Sequence, residues 1–332
     1  MDLSPTPEQE LLVDTASDFV ARTVDAQAVR VLEAGEPGYD RAQWATMADL
    51  GWTDLEPLEL ALVADRLGRG PLPSPLVVTG ALRAALPDLA AELAPDAVLT
   101  LAVLAPGAPH EWADPAAAGG DMLTGTFVLV PYAASAGVVV VATTSGLVAI
   151  DPAGPGVTLT RHDAIGGDPV YRLECTAVAS RPVAGSVPVA LDHLAVASLA
   201  YTVGVAERAL ALTVQHAKDR HQFGRPIGAF QAVAHRCADM RAEVDACRVL
   251  ACRAAWALDR RDDREFAVAS ALAYANDALR RVAMHAHQVH GAIGFSTEHD
   301  LHLFTRRIKA YELTYGSTAW HQDRLATAIG LV

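Results

Sequence analysis

The apolar positions of this chain change period twice. From residue 1 to about 100 they recur every three or four residues, from about 101 to 188 they fall in short alternating runs, and beyond that the helical period returns over longer stretches. In the first region Thr6, Glu8 and Gln9 open a helix whose face runs through Leu12, Thr15, Phe19 and Val20. Residues 40–50 predict a second helix, stopped by Gly51, and residues 56–67 a third, stopped by Gly68, because glycine accepts the left-handed backbone that ends a helix. The run from Gly70 to Pro75 holds three prolines and has to be a turn or an extended connector.

The middle region is rich in Val, Thr and Gly. Residues 124–130, 137–143, 146–150, 157–160 and 171–178 read as short strands separated by turns, which predicts a small antiparallel sandwich or barrel. In the last region Ile227, Phe230, Ala234, Cys237, Met240, Val244, Cys247, Ala251, Ala254 and Leu258 form one helical face. Val196, Ala200, Val203, Ala206, Leu210, Val214 and Ala217 form another, and a third helix runs from about 264 to 290. Long antiparallel helices of this kind make a bundle. The predicted class is mainly α with a central β domain: an N-terminal helical domain over 1–100, a β domain over 101–188 and a C-terminal bundle over 189–332.

Composition narrows the function classes. A formal net charge of −13 argues against a general nucleic-acid binder, which needs a basic face. No uncharged apolar run reaches the roughly 20 residues of a membrane span. The start of the chain has neither a basic stretch nor an apolar signal core, so a cytoplasmic location is expected. Cys175, Cys237, Cys247 and Cys252 form no CxxC pair and are expected to be reduced. His110, His285, His287 and His302 have no metal-ligand spacing.

Two strings carry chemistry. The first is Arg220-His221-Gln222-Phe223-Gly224-Arg225-Pro226-Ile227, followed by Phe230-Gln231 and Ala238-Asp239-Met240. Gly224 and Pro226 separate two helices, and Arg220 at that corner can offer a bidentate charged contact to a pyrophosphate. The second is Gln288-Val289-His290-Gly291-Ala292-Ile293-Gly294-Phe295, followed by Thr297-Glu298. Its small residues let backbone N–H groups approach a dinucleotide.

Both strings, in a chain ordered helix, β, bundle, resemble the signatures of the acyl-CoA dehydrogenase family. The resemblance implies an acyl-CoA dehydrogenase-like fold and FAD as cofactor. It implies that Arg220 and Gln231, with Gln222 and Phe223 of the same string, hold the FAD of a neighbouring subunit. It gives the same role to Gln288, His290, Gly291, Ala292 and Gly294, with Ala292 standing where the family has glycine.

Elsewhere the chain departs from that pattern. The family's reaction needs a carboxylate base, and the usual Glu position is Tyr315 here, a group whose ordinary pKa near 10 makes it a poor base. Glu312 is out of register and reads as a helix-end carboxylate. A minority of the family puts the base on the first bundle helix, where this chain has Asp192. Asp192 therefore has two readings, a base one methylene short of Glu or a helix N-cap. The stretches matching the family's ring-lining segments, 104–109 and 129–132, have lost their Ser, Thr and Trp groups. The resemblance thus implies a subunit of the actinobacterial heteromeric type, α2β2 with a second, different acyl-CoA dehydrogenase subunit and FAD at half the sites. A steroid side-chain or ring-degradation CoA ester as the acyl-CoA substrate, and an electron-transfer flavoprotein-type acceptor, follow from the same resemblance. Two other readings stay open: a self-sufficient dehydrogenase using Asp192, and an inactive scaffold or acyl-CoA-binding subunit.

Overall fold

The computed structural model describes residues 5–107, 117, 119–260 and 263–332. Six helices come first: α1 (Pro7–Thr23), α2 (Ala26–Ala34), α3 (Arg41–Asp49), α4 (Pro57–Gly68), α5 (Leu76–Ala85) and α6 (Pro87–Ala90). Thr6 and Gln9 form a reciprocal capping box, the Gln9 N–H donating to Thr6 Oγ1 and the Thr6 N–H to Gln9 Oε1. Asp40 caps α3, and Gly51 follows it with φ +74°. Helix α2, capped by Asp25, and helices α5 and α6 lie in segments where the apolar pattern predicted none. Leu76 and Leu82 of α5 are fully buried, each worth about 1.5–3 kcal/mol relative to exposure.

Gly68 is not the left-handed stop expected of it but the last residue of α4. Its use is close approach. A Cβ there would lie 2.0 Å from the Tyr201 carbonyl oxygen, and one on Gly204 would lie 1.8 Å from that of Asp65. Helix α4 and the first bundle helix therefore meet backbone to backbone.

Seven strands follow among the described residues: β1 (Leu99–Ala102), β2 (Met122–Pro131), β3 (Val138–Thr143), β4 (Gly146–Ile150), β5 (Val157–His162), β6 (Val170–Ala179) and β7 (Arg181–Val183). They form two sheets, ordered β1-β3-β4-β7 and β2-β6-β5. Phe127, Val139, Val141 and Leu173 fill the space between the sheets. Strands β1 and β7, four and three residues long, were too short to stand out in the pattern. The β1–β3 pair is parallel, a departure from the all-antiparallel expectation, because β2 passes through the other sheet between them.

The bundle begins with α7 (Val187–Asp219). A hairpin of β8 (His221–Gln222) and β9 (Arg225–Pro226) leads to α8 (Gln231–Arg260), α9 (Arg264–His290), α10 (Leu301–Glu312) and α11 (Thr318–Ala328). Helix α7 is long and apolar enough to cross a membrane, but 78% of its most apolar window is buried inside the protein, as in the core helix of a bundle. The apolar face predicted from Ile227 onward does not begin there. Ile227 lies in a 3-10 turn, Phe230 precedes α8, Ala234 is exposed, and burial starts at Met240. The first turns of α8 project beyond the bundle core. The four cysteines are free, Cys175 and Cys247 buried, Cys237 and Cys252 half-buried.

Candidate active site and nucleotide corner

The α7–α8 corner is built by its hairpin. The Arg220 N–H caps α7 by donating to the His216 carbonyl at 2.9 Å, and the Ile227 N–H returns to the Arg220 carbonyl at 2.8 Å. Phe223 (φ +53°) and Gly224 (φ +79°) sit between β8 and β9, both in the left-handed region that a two-residue hairpin requires. Phe223 is a phenylalanine held in that conformation and 92% exposed. Arg225 lies over the Phe230 ring at 4.2 Å and stiffens the turn from behind. Arg220, Gln222 and Gln231 are exposed, and Arg220 forms no ion pair among the described residues.

At the end of α9, Gln288, Gly291 and Ala292 are exposed and His290 is buried. Gly291 takes φ +66° with open space where a Cβ would project. Ala292 has no positive φ, so replacing the family's glycine there costs the backbone nothing. Gly294 is buried, and a Cβ on it would press within 2.9 Å of His290 Cβ. Phe295 is 73% exposed and stacks on His287.

The two strings meet through histidines. The His290 ring stacks on His216 of α7 at 4.5 Å and meets His299 edge-on at 4.8 Å. His290 Nδ1 donates to the Ala286 carbonyl at 2.8 Å, and burial pushes this imidazole down to about 4, so it is neutral. His216 is also lowered, by burial first and then by His299 and Arg220. One end of the bundle thus presents an unpaired arginine, exposed amides, two exposed phenylalanines and a glycine turn. That donor set fits the pyrophosphate and ring faces of a dinucleotide approaching from outside the chain.

The other feature is a half-open pocket. A cavity of about 410 Å³ lies between α7, α9 and α11, lined by Leu191, Asp192, Leu272, Tyr315, Trp320 and His321 among others. It brings together both positions considered for the base. Asp192 is not an N-cap: α7 starts at Val187 behind Ser186, which leaves Asp192 in the second turn. Its side chain is 4% exposed and pairs with Arg324 at 2.8 Å and Arg264 at 3.4 Å. Burial raises its carboxyl above the ordinary range, opposed by Arg324 and then Arg264. Tyr315 accepts a hydrogen bond from Ser198 Oγ at 2.9 Å, and burial raises its phenol further from a useful base. His321 Nε2 donates to the Tyr315 carbonyl at 2.7 Å, and Asn276 donates to the Gly316 carbonyl at 2.9 Å, so this loop is held from two sides. Glu312 ends α10 beside Lys309 and Arg280.

The segment matching the family's ring-lining strand turns inward. Tyr132 is buried and its hydroxyl donates to Asp168 at 2.7 Å. Behind them Arg307 reaches Glu33 at 2.7 Å and the Tyr201 hydroxyl at 3.2 Å. Burial raises Asp168 against the downward pull of Arg307. This network has no local motif, since Glu33, Tyr132, Asp168, Tyr201 and Arg307 come from five separate segments. In the other matching stretch, Pro106 and Gly107 are exposed, while Ala108 and Pro109 lie outside the described residues, as does His110.

Residues 186–330, which contain both strings and the cavity, match the family described as acyl-CoA dehydrogenase, C-terminal domain. Over 327 residues the chain is 32% identical to acyl-CoA dehydrogenase IpdE2 of Mycobacterium tuberculosis, with 92% of each chain covered. The chain belongs to the acyl-CoA dehydrogenase family. FAD is the cofactor of this family, and its enzymes are oxidoreductases acting on CH–CH bonds. Two solved structures have chains similar to this one at 27% identity. A chain of the Tcur3481-Tcur3483 steroid ACAD superposes with a TM-score of 0.90, covering 98% of each chain. A chain of the ChsE4-ChsE5 complex from Mycobacterium tuberculosis superposes at 0.86 over the whole of both.

Proposed function

We propose that this chain is the helper subunit of a heteromeric acyl-CoA dehydrogenase, lending its nucleotide corner to the FAD of a different subunit. The observation that carries the reading is an asymmetry. Arg220, Gln222, Phe223 and Gln231, with Gln288, Gly291 and Ala292, are exposed and free to meet a ligand from outside, whereas Tyr132 is committed to Asp168 inside the chain. In this reading Arg220 pairs with the pyrophosphate, Gln222, Gln231 and Gln288 hydrogen-bond along the dinucleotide, and Phe223 covers it. His290 and Gly294 hold the turn that carries Gly291 and Ala292. FAD, when bound, accepts the hydride from the acyl β-carbon. The partner subunit supplies the ring seat and the base. The assembly is α2β2 and passes electrons to an electron-transfer flavoprotein-type acceptor.

The substrate is a CoA thioester of a steroid side chain or degraded ring. Support comes from the likeness to the Tcur3481-Tcur3483 steroid ACAD and to the two-component ChsE4-ChsE5 complex. A bulky acyl group also suits an assembly in which one subunit gives up its own ring seat.

A second reading keeps Asp192 as base, favoured by its burial in the cavity beside Tyr315. Two arginines holding that carboxylate count against it. Purifying the chain alone and with its partner, and counting flavin per assembly, tests the proposal. The expected result is no flavin alone and one flavin per pair of different subunits. One flavin per chain in the isolated protein, with acyl-CoA turnover, would overturn it.

A further inference from the structure

We infer that Arg30 of α2 is a positioning residue for the nucleotide corner, a role that rests on that corner being the seat of a partner's FAD. It holds the loop that follows the Gly291 turn, and so gives the N-terminal part of the chain a share in binding the cofactor.

Helix α2 comes early in the chain but packs with the bundle. Its buried residue, Val29, lies in the same core cluster as Leu303, Phe304 and Ile308 of α10. Arg30 and Glu33, three positions apart, are neighbours on the surface of the helix. Both reach the segment that runs from the turn into α10. Glu33 receives Arg306 at 2.5 Å and Arg307 at 2.7 Å. Arg30 Nη2 donates to Asp300 Oδ1 at 2.8 Å and to the Thr297 carbonyl at 3.3 Å. The end of α2 is fixed from a third side, where Arg161 of β5 donates to the Glu33 and Gly35 carbonyls at 2.9 and 2.6 Å. Helix α2 is therefore a fixed post, and Arg30 is its arm to the loop.

The loop needs such an arm. Within residues 296–300 the bonds are local: the Ser296 N–H donates to the Ile293 carbonyl, the His299 N–H to the Ser296 carbonyl and the Glu298 N–H to Ser296 Oγ. Thr297 and Glu298 are exposed. Bonds of so short a span fix the shape of the loop, not its place against the bundle. His299 of this loop meets the His290 ring edge-on at 4.8 Å, and the Gly291 turn departs from His290. With Arg30 in place, His299 stays on His290 and the backbone of Gly291 and Ala292 keeps its aim. Without it, the ligand has to order the loop as it binds, which weakens affinity.

Arg30 and Asp300 keep 28% and 45% exposure, so their pair adds little to folding. Its effect belongs at the site. Diluting the flavin-loaded assembly, purified with its partner, and reading released flavin by its fluorescence gives the dissociation constant. Arg30→Ala is expected to raise it about threefold, the scale of one exposed ion pair, while the unfolding midpoint moves by no more than about two degrees. Asp300→Asn should show a similar loss, and the double variant no more than either alone, because both remove one contact. Arg30→Lys keeps the charge and should recover part of the affinity. Wild-type affinity in Arg30→Ala, with flavin lost in Arg220→Ala, would overturn the inference and leave the corner as the cofactor's seat. Flavin retained in both variants would overturn the two together. A fallen unfolding midpoint with Arg30→Lys no better than Arg30→Ala would also overturn it, by making Arg30 a brace of the fold alone.

Discussion

Asp192 on α7 and Arg324 on α11 form a 2.8 Å ion pair that ties the last helix of the chain to the first helix of the bundle. Arg264 joins the same carboxylate from the start of α9, so one side chain fastens three helices. Asp192→Asn would leave two guanidinium groups facing each other. The expected cost is about 2 kcal/mol, below the roughly 3–5 kcal/mol of a fully buried broken pair, because Arg324 and Arg264 keep 23% and 22% exposure. Thermal unfolding should fall by several degrees, while turnover of the assembly measured well below the transition stays above half of wild type. A loss of turnover with unchanged stability would instead make Asp192 the base.

The Arg220 side chain has no ion pair among the described residues, so its removal should read out on the cofactor and not on folding. Arg220→Ala is expected to lower flavin affinity of the assembly about tenfold or more, the worth of a charge-assisted hydrogen bond. Arg220→Lys should recover only part of it, since an ammonium cannot pair bidentately. Flavin absorbance per assembly after dialysis measures the effect. Full flavin retention in Arg220→Ala would remove the corner from the binding site.

Gly204 and Gly68 allow α4 and α7 to touch along their backbones. Gly204→Ala places a methyl 1.8 Å from a carbonyl oxygen that belongs to a helix and cannot rotate away. The helices would have to separate, and a loss of more than about 3 kcal/mol is expected, the scale of severe overpacking. Soluble expression and the unfolding midpoint check it. A midpoint within a degree or two of wild type would mean that the contact is looser than described.

Burial pushes His290 and His321 down to about 4. An unfolded histidine titrates near 6.5. Between those values the unfolded chain binds more protons than the folded one, so stability present above about pH 6.5 is lost progressively toward pH 4. His321→Gln removes one of the two groups and should make that decline shallower. Unfolding midpoints taken from about pH 7 to about pH 4.5 for both proteins check the sign, and parallel curves would sink it.

What could be read before the fold was known follows from which forces are local. Thr6 with Gln9, Asp40 with Gly51, and the α9 boundaries are set by neighbours in sequence, and they stand where the pattern put them. Gly68 is not the helix stop its position suggests, because its reason lies on another helix, at Tyr201. Nearby residues allow Asp192 to be a base or a cap, and the start of α7 at Val187 removes only the cap. Its actual partners, Arg264 and Arg324, are 72 and 132 positions away and carry no motif. The Tyr132–Asp168 contact was invisible for the same reason, although the loss of the family's ring-lining residues pointed to that place.

The backbone-level seam between α4 and α7 also limits how the molecule can breathe. At Gly68 and Gly204 no side chain stands between the two helices to change rotamer, which resists sliding of the N-terminal helices along the bundle in small steps. Any widening of the cavity must then come from the other wall. Helix α11 forms that wall and is fastened by Arg324 to Asp192 and by His321 to the Tyr315 carbonyl, so widening there has to break those contacts.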